Sequence, residues 1–308
     1  MGRNLRFRLP LTVMLLAITL LSGCAVLTPS QVKEVERFAQ ATQGYGALPG
    51  AVISMYGEGA EENRLLAVTG YTFRPGEKTA DQALQDMKSA RQRRQEFTVA
   101  AKRADEALEI LNIYAAALTI LTSDDFTTSL DESATAVGKS LDRAIAAYND
   151  SYDKKFSMIG SAAAQVVRGA GGIYLRYKQT VLLKEYVERA DPVIEALTKD
   201  VEDLIQDKVS PNLKDLTARV EREFINSANH HVRLDLSTVV RINQIFYRLE
   251  GAEGLAGAAV SSAKRYREAH RALKEALKKK QDLKGVIEQI TVLAEEVKAA
   301  RKLKKKFE

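Results

Sequence analysis

A single cysteine, Cys24, is the whole thiol content of these 308 residues. It excludes an intramolecular disulfide and any metal site built on two thiolates. Tryptophan is absent and aromatic residues make up only 6%. A core must then come mainly from Leu, Val, Ile and Ala, which suits helices packed at close range better than a sheet sandwich. Histidine is as sparse, with His230, His231 and His270 the three present. Adjacent residues on a helix point about 100° apart, so His230 and His231 do not readily share a metal, and no HExxH pattern occurs. Three uncharged apolar runs stand out: Leu9–Leu21, Phe156–Val167 and Ile110–Ser123, of 13, 12 and 14 residues. None reaches the roughly 18 to 20 that a spanning helix needs.

Catalytic patterns are missing as well. Gly169-Ala170-Gly171-Gly172 has no P-loop lysine beside it, and no GxSxG nucleophile turn is found. The acidic pairs Glu61–Glu62, Asp124–Asp125 and Glu295–Glu296 are ordinary for loops and helix surfaces, with nothing nearby to tune them for proton transfer. The sequence points to a protein that is not an enzyme and holds no metal or dissociable cofactor.

What is present begins at the amino terminus. Arg3, Arg6 and Arg8 precede the apolar run Leu9–Leu21, and the small residues Ser22 and Gly23 lead into Cys24. Charged, apolar and small regions in this order make a secretory signal peptide. Leu21-Ser22-Gly23-Cys24 resembles the lipobox of bacterial lipoproteins. That resemblance implies diacylglycerol on the Cys24 thiol, cleavage just before it after recognition of Leu21, Ser22 and Gly23, and a third acyl chain on the new amino group. Three chains hold far more firmly than the single chain that gives marginal binding. In Gram-negative members an aspartate after the cysteine retains the protein in the inner membrane. Ala25 stands there instead, which implies the outer membrane, facing the periplasm.

The formal charge of +6 shrinks once the leader is removed. It takes three arginines and no acid with it, leaving 43 basic against 40 acidic residues. Such a balance does not call for a nucleic-acid partner.

Glycine and proline divide the remainder. Seven of the eighteen glycines and two of the six prolines fall between Gly44 and Gly76, and only Pro192 and Pro211 follow. Both residues break helices. The expectation is a lipidated start with a short helix over 24–43, capped by Ser30, and an irregular Gly/Pro segment over 44–78. Within that segment, Ala51–Tyr56 and Leu65–Phe73 are candidate extended pieces. A helical bundle domain follows over 79–308.

From Thr79 a stripe of Ala83, Met87, Ala90, Arg94, Phe97, Ala101, Ala104, Leu108, Leu111, Ala115 and Leu118 alternates spacings of four and three. It predicts one helix of about 40 residues with a heptad-like packing face. Further helices are expected near 127–150, 154–190, 192–208, 211–230 and 236–281. Val286, Ile290, Leu293, Val297 and Ala300 carry the same alternation to the end. Thr79, Asp191 and Ser210 are the expected helix starts. The fold class is all-α: an elongated bundle of long antiparallel helices with coiled-coil-like packing.

Two small-residue patches, 160–172 and 251–263, interrupt the helical sequence and are expected to mark tight helix crossings. Two basic clusters complete the reading. Lys88, Arg91, Arg93, Arg94, Lys102 and Arg103 form one. The second is Arg301, Lys302, Lys304, Lys305 and Lys306, the candidate contact with anionic lipid, lipopolysaccharide phosphate or cell-wall carboxylate. The functional expectation is a lipid-anchored envelope protein with a structural or protein-interaction role, partnered by the membrane and an envelope protein. It is compatible with a homo-oligomer. The alternative is a membrane-acting helical protein that inserts Ile110–Ser123 or a glycine patch.

Overall fold

A computed structural model describes residues 29–69, 79–123, 130–160, 174–230, 235–279 and 284–307. Every regular element among them is helical: α1 (Pro29–Tyr45), α2 (Leu48–Thr69), α3 (Ala80–Thr122), α4 (Leu130–Tyr152), α5 (Tyr174–Asp203), α6 (Ser210–His230), α7 (Leu236–Lys279) and α8 (Lys284–Phe307). A π segment, Leu204–Val209, joins α5 to α6. The all-α fold class is thus observed.

The long helix predicted from Thr79 is α3, 43 residues, about 65 Å at 1.5 Å per residue. Thr79 starts it with a capping box: its hydroxyl accepts the Gln82 N–H at 3.3 Å, and Gln82 Oε1 accepts the Thr79 N–H at 2.8 Å. The stripe is buried at Ala83, Ala90, Ala101, Leu108, Leu111, Ala115 and Leu118, while Met87 is 38% exposed. Arg94, its one charge, reaches α2 and pairs with Glu61 at 2.8 Å.

Helix α7 is the hub, packing against α1, α2, α5, α6 and α8. Ala252, Leu255, Ala256, Ala259 and Ala263 are buried along it. Each fully buried Leu contributes roughly 1.5–3 kcal/mol relative to exposure. The 251–263 patch is a tight crossing, as expected: Gly251 sits under the Phe307 ring of α8, and Gly254 faces Leu303. In the 160–172 patch only Gly160 belongs to the described residues. It lies against Gly138 of α4, and its N–H donates to Asp142 at 2.6 Å.

Several expectations are overturned. Residues 154–159, expected to open a helix over 154–190, are not helical. The segment expected to be irregular contains α2, a 22-residue helix, so Ala51–Tyr56 is helical and 65–69 also; residues 70–78 lie outside the described set. Its glycines are contact points. Gly50 meets Asp105, Gly57 meets Phe97 and Gly59 meets Leu249, so two neighbouring helices pack where a side chain would have held them off. Pro49 falls in the first turn, where a missing N–H is harmless. The Asp105 carboxylate of α3 lies against Gly50 in that first turn, so another helix packs on the start of α2.

Asp191–Pro192 is also not a helix start, because α5 runs through Pro192. Pro192 and Glu188, whose carbonyl loses its bond, are both exposed, so water can serve that carbonyl. The Asp191 side chain turns to His270 and Lys274 on α7. Ser210 is not a helix start either: its backbone is helical and its N–H donates to the Ile205 carbonyl, so α5 runs through the π segment into α6 without a break.

The run Ile110–Ser123 is core. Ile110, Leu111, Tyr114, Ala115, Ala117, Leu118, Leu121 and Thr122 are all buried. Among the described residues no helix is long and apolar enough to cross a membrane.

Candidate functional site

The lipobox residues Leu21, Ser22, Gly23 and Cys24 lie outside the described residues, as do Asp124–Asp125, His231 and the side chain of His230. The basic carboxy-terminal cluster is described, and the structure divides it.

Helix α8 buries the predicted stripe Val286, Ile290, Leu293, Val297 and Ala300. Phe307 fastens its last turn over Gly251 and beside Tyr247, ring centroids 4.7 Å apart. The carboxy-terminal basic run is therefore part of a docked helix rather than a free arm. With that face buried, the cations leave in three directions. Lys306 stacks over Tyr247, 5.6 Å from the ring centroid. Lys304 approaches Asp105, whose carboxyl is pushed up by burial and drawn back by Lys304 and the Gly50 N–H. Arg301, Lys302 and Lys305 turn together into a groove of about 680 Å³ between α1 and α8.

Sequence reasoning missed two members of this groove. Lys298 stands one turn before Lys302 on the same face of α8, so the spacing already contained it. Arg37 comes from α1, and nothing in the sequence brought α1 to α8. The floor is made of Ala41, Gly44, Ile290, Ala294 and Val297, and Glu295 lies on the rim. Arg37 is engaged by Glu34 at 2.9 Å. Lys298, Arg301, Lys302 and Lys305 form no ion pair with a described carboxylate. The arrangement is chemically simple: an apolar trough edged by cations, fit for an anionic surface or amphiphile.

Several other ionisable groups hold helices together. Glu61 binds Arg94, Glu62 binds Arg248, and Glu296 binds Arg265 and the Ser261 hydroxyl. Arg267 and Glu202 pair at 11% and 8% side-chain exposure. Among the first basic cluster, Arg94 is committed to α2 and Lys102 pairs with Glu106.

His270, one of the three histidines weighed in the sequence, lies in the core. It is 1% exposed among Phe38, Tyr114 and Tyr266. A carboxylate only accepts, so the Nδ1–H donates to Asp191 at 3.2 Å, leaving Nε2 to accept from the Tyr114 hydroxyl at 3.0 Å. Burial pulls the imidazole below its ordinary value of 6.5 against the opposing pull of Asp191. The His270 hydrogen bond, joined by Lys274, holds the Asp191 carboxyl down at about 2. Both ring nitrogens are engaged and shielded, so this chain of bonds ties α3, α5 and α7 and offers no open base. Among the described residues no group of His, Cys, Asp and Glu is placed to hold a metal ion.

Comparison with protein families, with curated proteins and with solved structures found no match.

Proposed function

We propose that this chain is a lipid-anchored lipoprotein of the bacterial cell envelope, with a non-enzymatic structural or protein-interaction role carried by its helical bundle. The observation that carries the reading is the signal peptide ending in Leu21-Ser22-Gly23-Cys24. It gains support from α1, whose first described residue, Pro29, stands five residues after Cys24. A body tethered that closely keeps to the surface that holds its lipid. The structural role is supported by the use of the ionisable groups, which go into helix-to-helix ties such as Glu202–Arg267 and Asp191–His270. Ala25 favours the outer membrane, facing the periplasm, in a Gram-negative cell.

The test is metabolic labelling with a palmitate analogue, followed by envelope fractionation and intact-mass measurement, on the wild type and Cys24→Ser. The expected result is a triacylated wild type cut before Cys24, in the membrane fraction. The substituted chain should carry no label and keep its leader. A wild type with a free thiol or an uncut leader would overturn the proposal.

A further inference from the structure

The way α1 runs past α8 bears on how the body sits at a membrane. Phe38 of α1 packs on Tyr266 and His270 of α7, and Gly44 packs on Val297 and Arg301 of α8. Helices α7 and α8 are antiparallel, with Arg265 beside Glu296 and Gly251 beside Phe307. It follows that α1 and α8 are parallel and that Pro29 lies level with the beginning of α8. From there, at Lys284, to the level of Lys305 is about 32 Å at 1.5 Å per residue. The five residue steps from Cys24 to Pro29 span at most about 18 Å when fully extended.

These lengths exclude one arrangement and weaken another. A body standing with the α8 carboxy-terminal end on the bilayer puts Pro29 beyond the reach of its tether. A body standing on its other end carries the cations beyond the screening length of about 8–10 Å. The cations also line the side of the bundle, in the trough shared by α1 and α8, and four of them have no carboxylate partner among the described residues. Their charge is complementary to a layer of anionic headgroups.

We infer that the α1/α8 face lies along the anchoring bilayer, with Lys298, Arg301, Lys302 and Lys305 on anionic phospholipid headgroups and the lipidated Cys24 at the opposite end of the same face. The inference rests on the lipid-anchor reading above. It gives the protein two attachments, one hydrophobic and one electrostatic, separated along one side of the bundle. Pairing an acyl anchor with a basic patch is a general route to stable attachment, and here the patch also sets the orientation.

The experiment uses the full lipidated chain in nanodiscs of phosphatidylcholine alone and of phosphatidylcholine mixed with phosphatidylglycerol. Amine acetylation is read residue by residue by mass spectrometry. Lys298, Lys302 and Lys305 should lose reactivity about fivefold in the anionic discs and regain it in high salt, while Lys88 and Lys102 of α3 stay unchanged. A Lys298→Gln/Lys302→Gln/Lys305→Gln variant, with its helical circular dichroism intact, should stay in the discs through its lipid. In that variant the anionic discs should no longer slow exchange in α1 and the first turns of α8, as they do in the parent. Equal lysine reactivity in the two discs overturns the inference and leaves the lipid anchor standing. So does protection at Lys306 alone, which would put the end of the bundle on the surface. A chain that phosphatidylcholine discs fail to retain at all overturns anchor and inference together.

Discussion

Helix α2 and the middle of α7 carry the same residue for the same reason, yet from sequence they look unlike. In α7 the glycines sit among alanines and serines in an unbroken helical stretch, and Gly251 and Gly254 make room for Phe307 and Leu303. In α2 the glycines stand near Pro49 and Pro75 and suggest a loop, yet Gly57 and Gly59 make room for Phe97 and Leu249 in the same manner. A glycine inside a helix costs roughly 1 kcal/mol relative to alanine. Both helices offset that cost with the contact a missing Cβ allows. The lesson is that glycine density alone does not separate a loop from a close crossing. What separates them is whether something sits in the space a side chain would fill.

Adding methyl groups tests that directly. The largest effect is expected where backbone meets backbone. Gly160→Ala would drive its Cβ into the Gly138 carbonyl, which cannot swing aside, and should destabilise by about 3 kcal/mol. Urea unfolding midpoints measure this, and an unchanged midpoint would mean the two segments are not in contact. Gly57→Ala is expected to cost less, about 2 kcal/mol, since its Cβ would lie 2.6 Å from Phe97 Cβ and α2 and α3 must part slightly. A neutral result would restore the reading of this stretch as an irregular segment.

A third measurement separates uncharged contacts from charged ones. Glycine crossings are blind to pH, while the His270 contact is not. Its pKa is lowered in the fold, so below pH 6.5 the unfolded chain takes up a proton that the folded chain refuses. Stability is therefore full above 6.5 and falls as the pH drops, with a limiting slope of about 1.4 kcal/mol per pH unit. Asp191, held at about 2 against 3.8, adds a separate loss between those two values, in the same direction. In His270→Phe the first of these losses should disappear from a melting-temperature profile taken between pH 5 and 7. A profile as steep as the wild type's would assign it to another group. The smallest effect has the opposite sign: Gly257 has nothing within 4 Å of an added Cβ, so Gly257→Ala should stabilise by up to about 1 kcal/mol.

The legibility of the fold follows the same division. Helix α3 was readable because Thr79, Gln82 and the stripe through Leu118 agree on one period. Helix α8 was readable from Val286 to Ala300 for the same reason. The start of α2 was not, since what meets it is Asp105 of another helix, packed against Gly50, and neither was the passage of α5 through Pro192, which depends on where Asp191 finds its partner. Of the basic groove, Arg301, Lys302 and Lys305 stood out as a run. Lys304 and Lys306 stood beside them yet point elsewhere, and Arg37 belongs to the site only through tertiary packing. Linear spacing reports the phase of one helix, and a groove needs the phase of two.

The Thr42 hydroxyl and the Tyr266 hydroxyl meet at 3.2 Å although they stand 224 positions apart in the chain. A polypeptide is made from its amino terminus, so α1 emerges first and waits for α7, the helix that covers Phe38, Thr42 and Tyr45, until most of the protein has followed. Contacts of such long range form slowly, because the loop must close before they can form. Helix α3 packs on α1 and is made well before α7, so the layout of the chain itself leaves the closing of α7 over Phe38, Thr42 and Tyr45 to a late step.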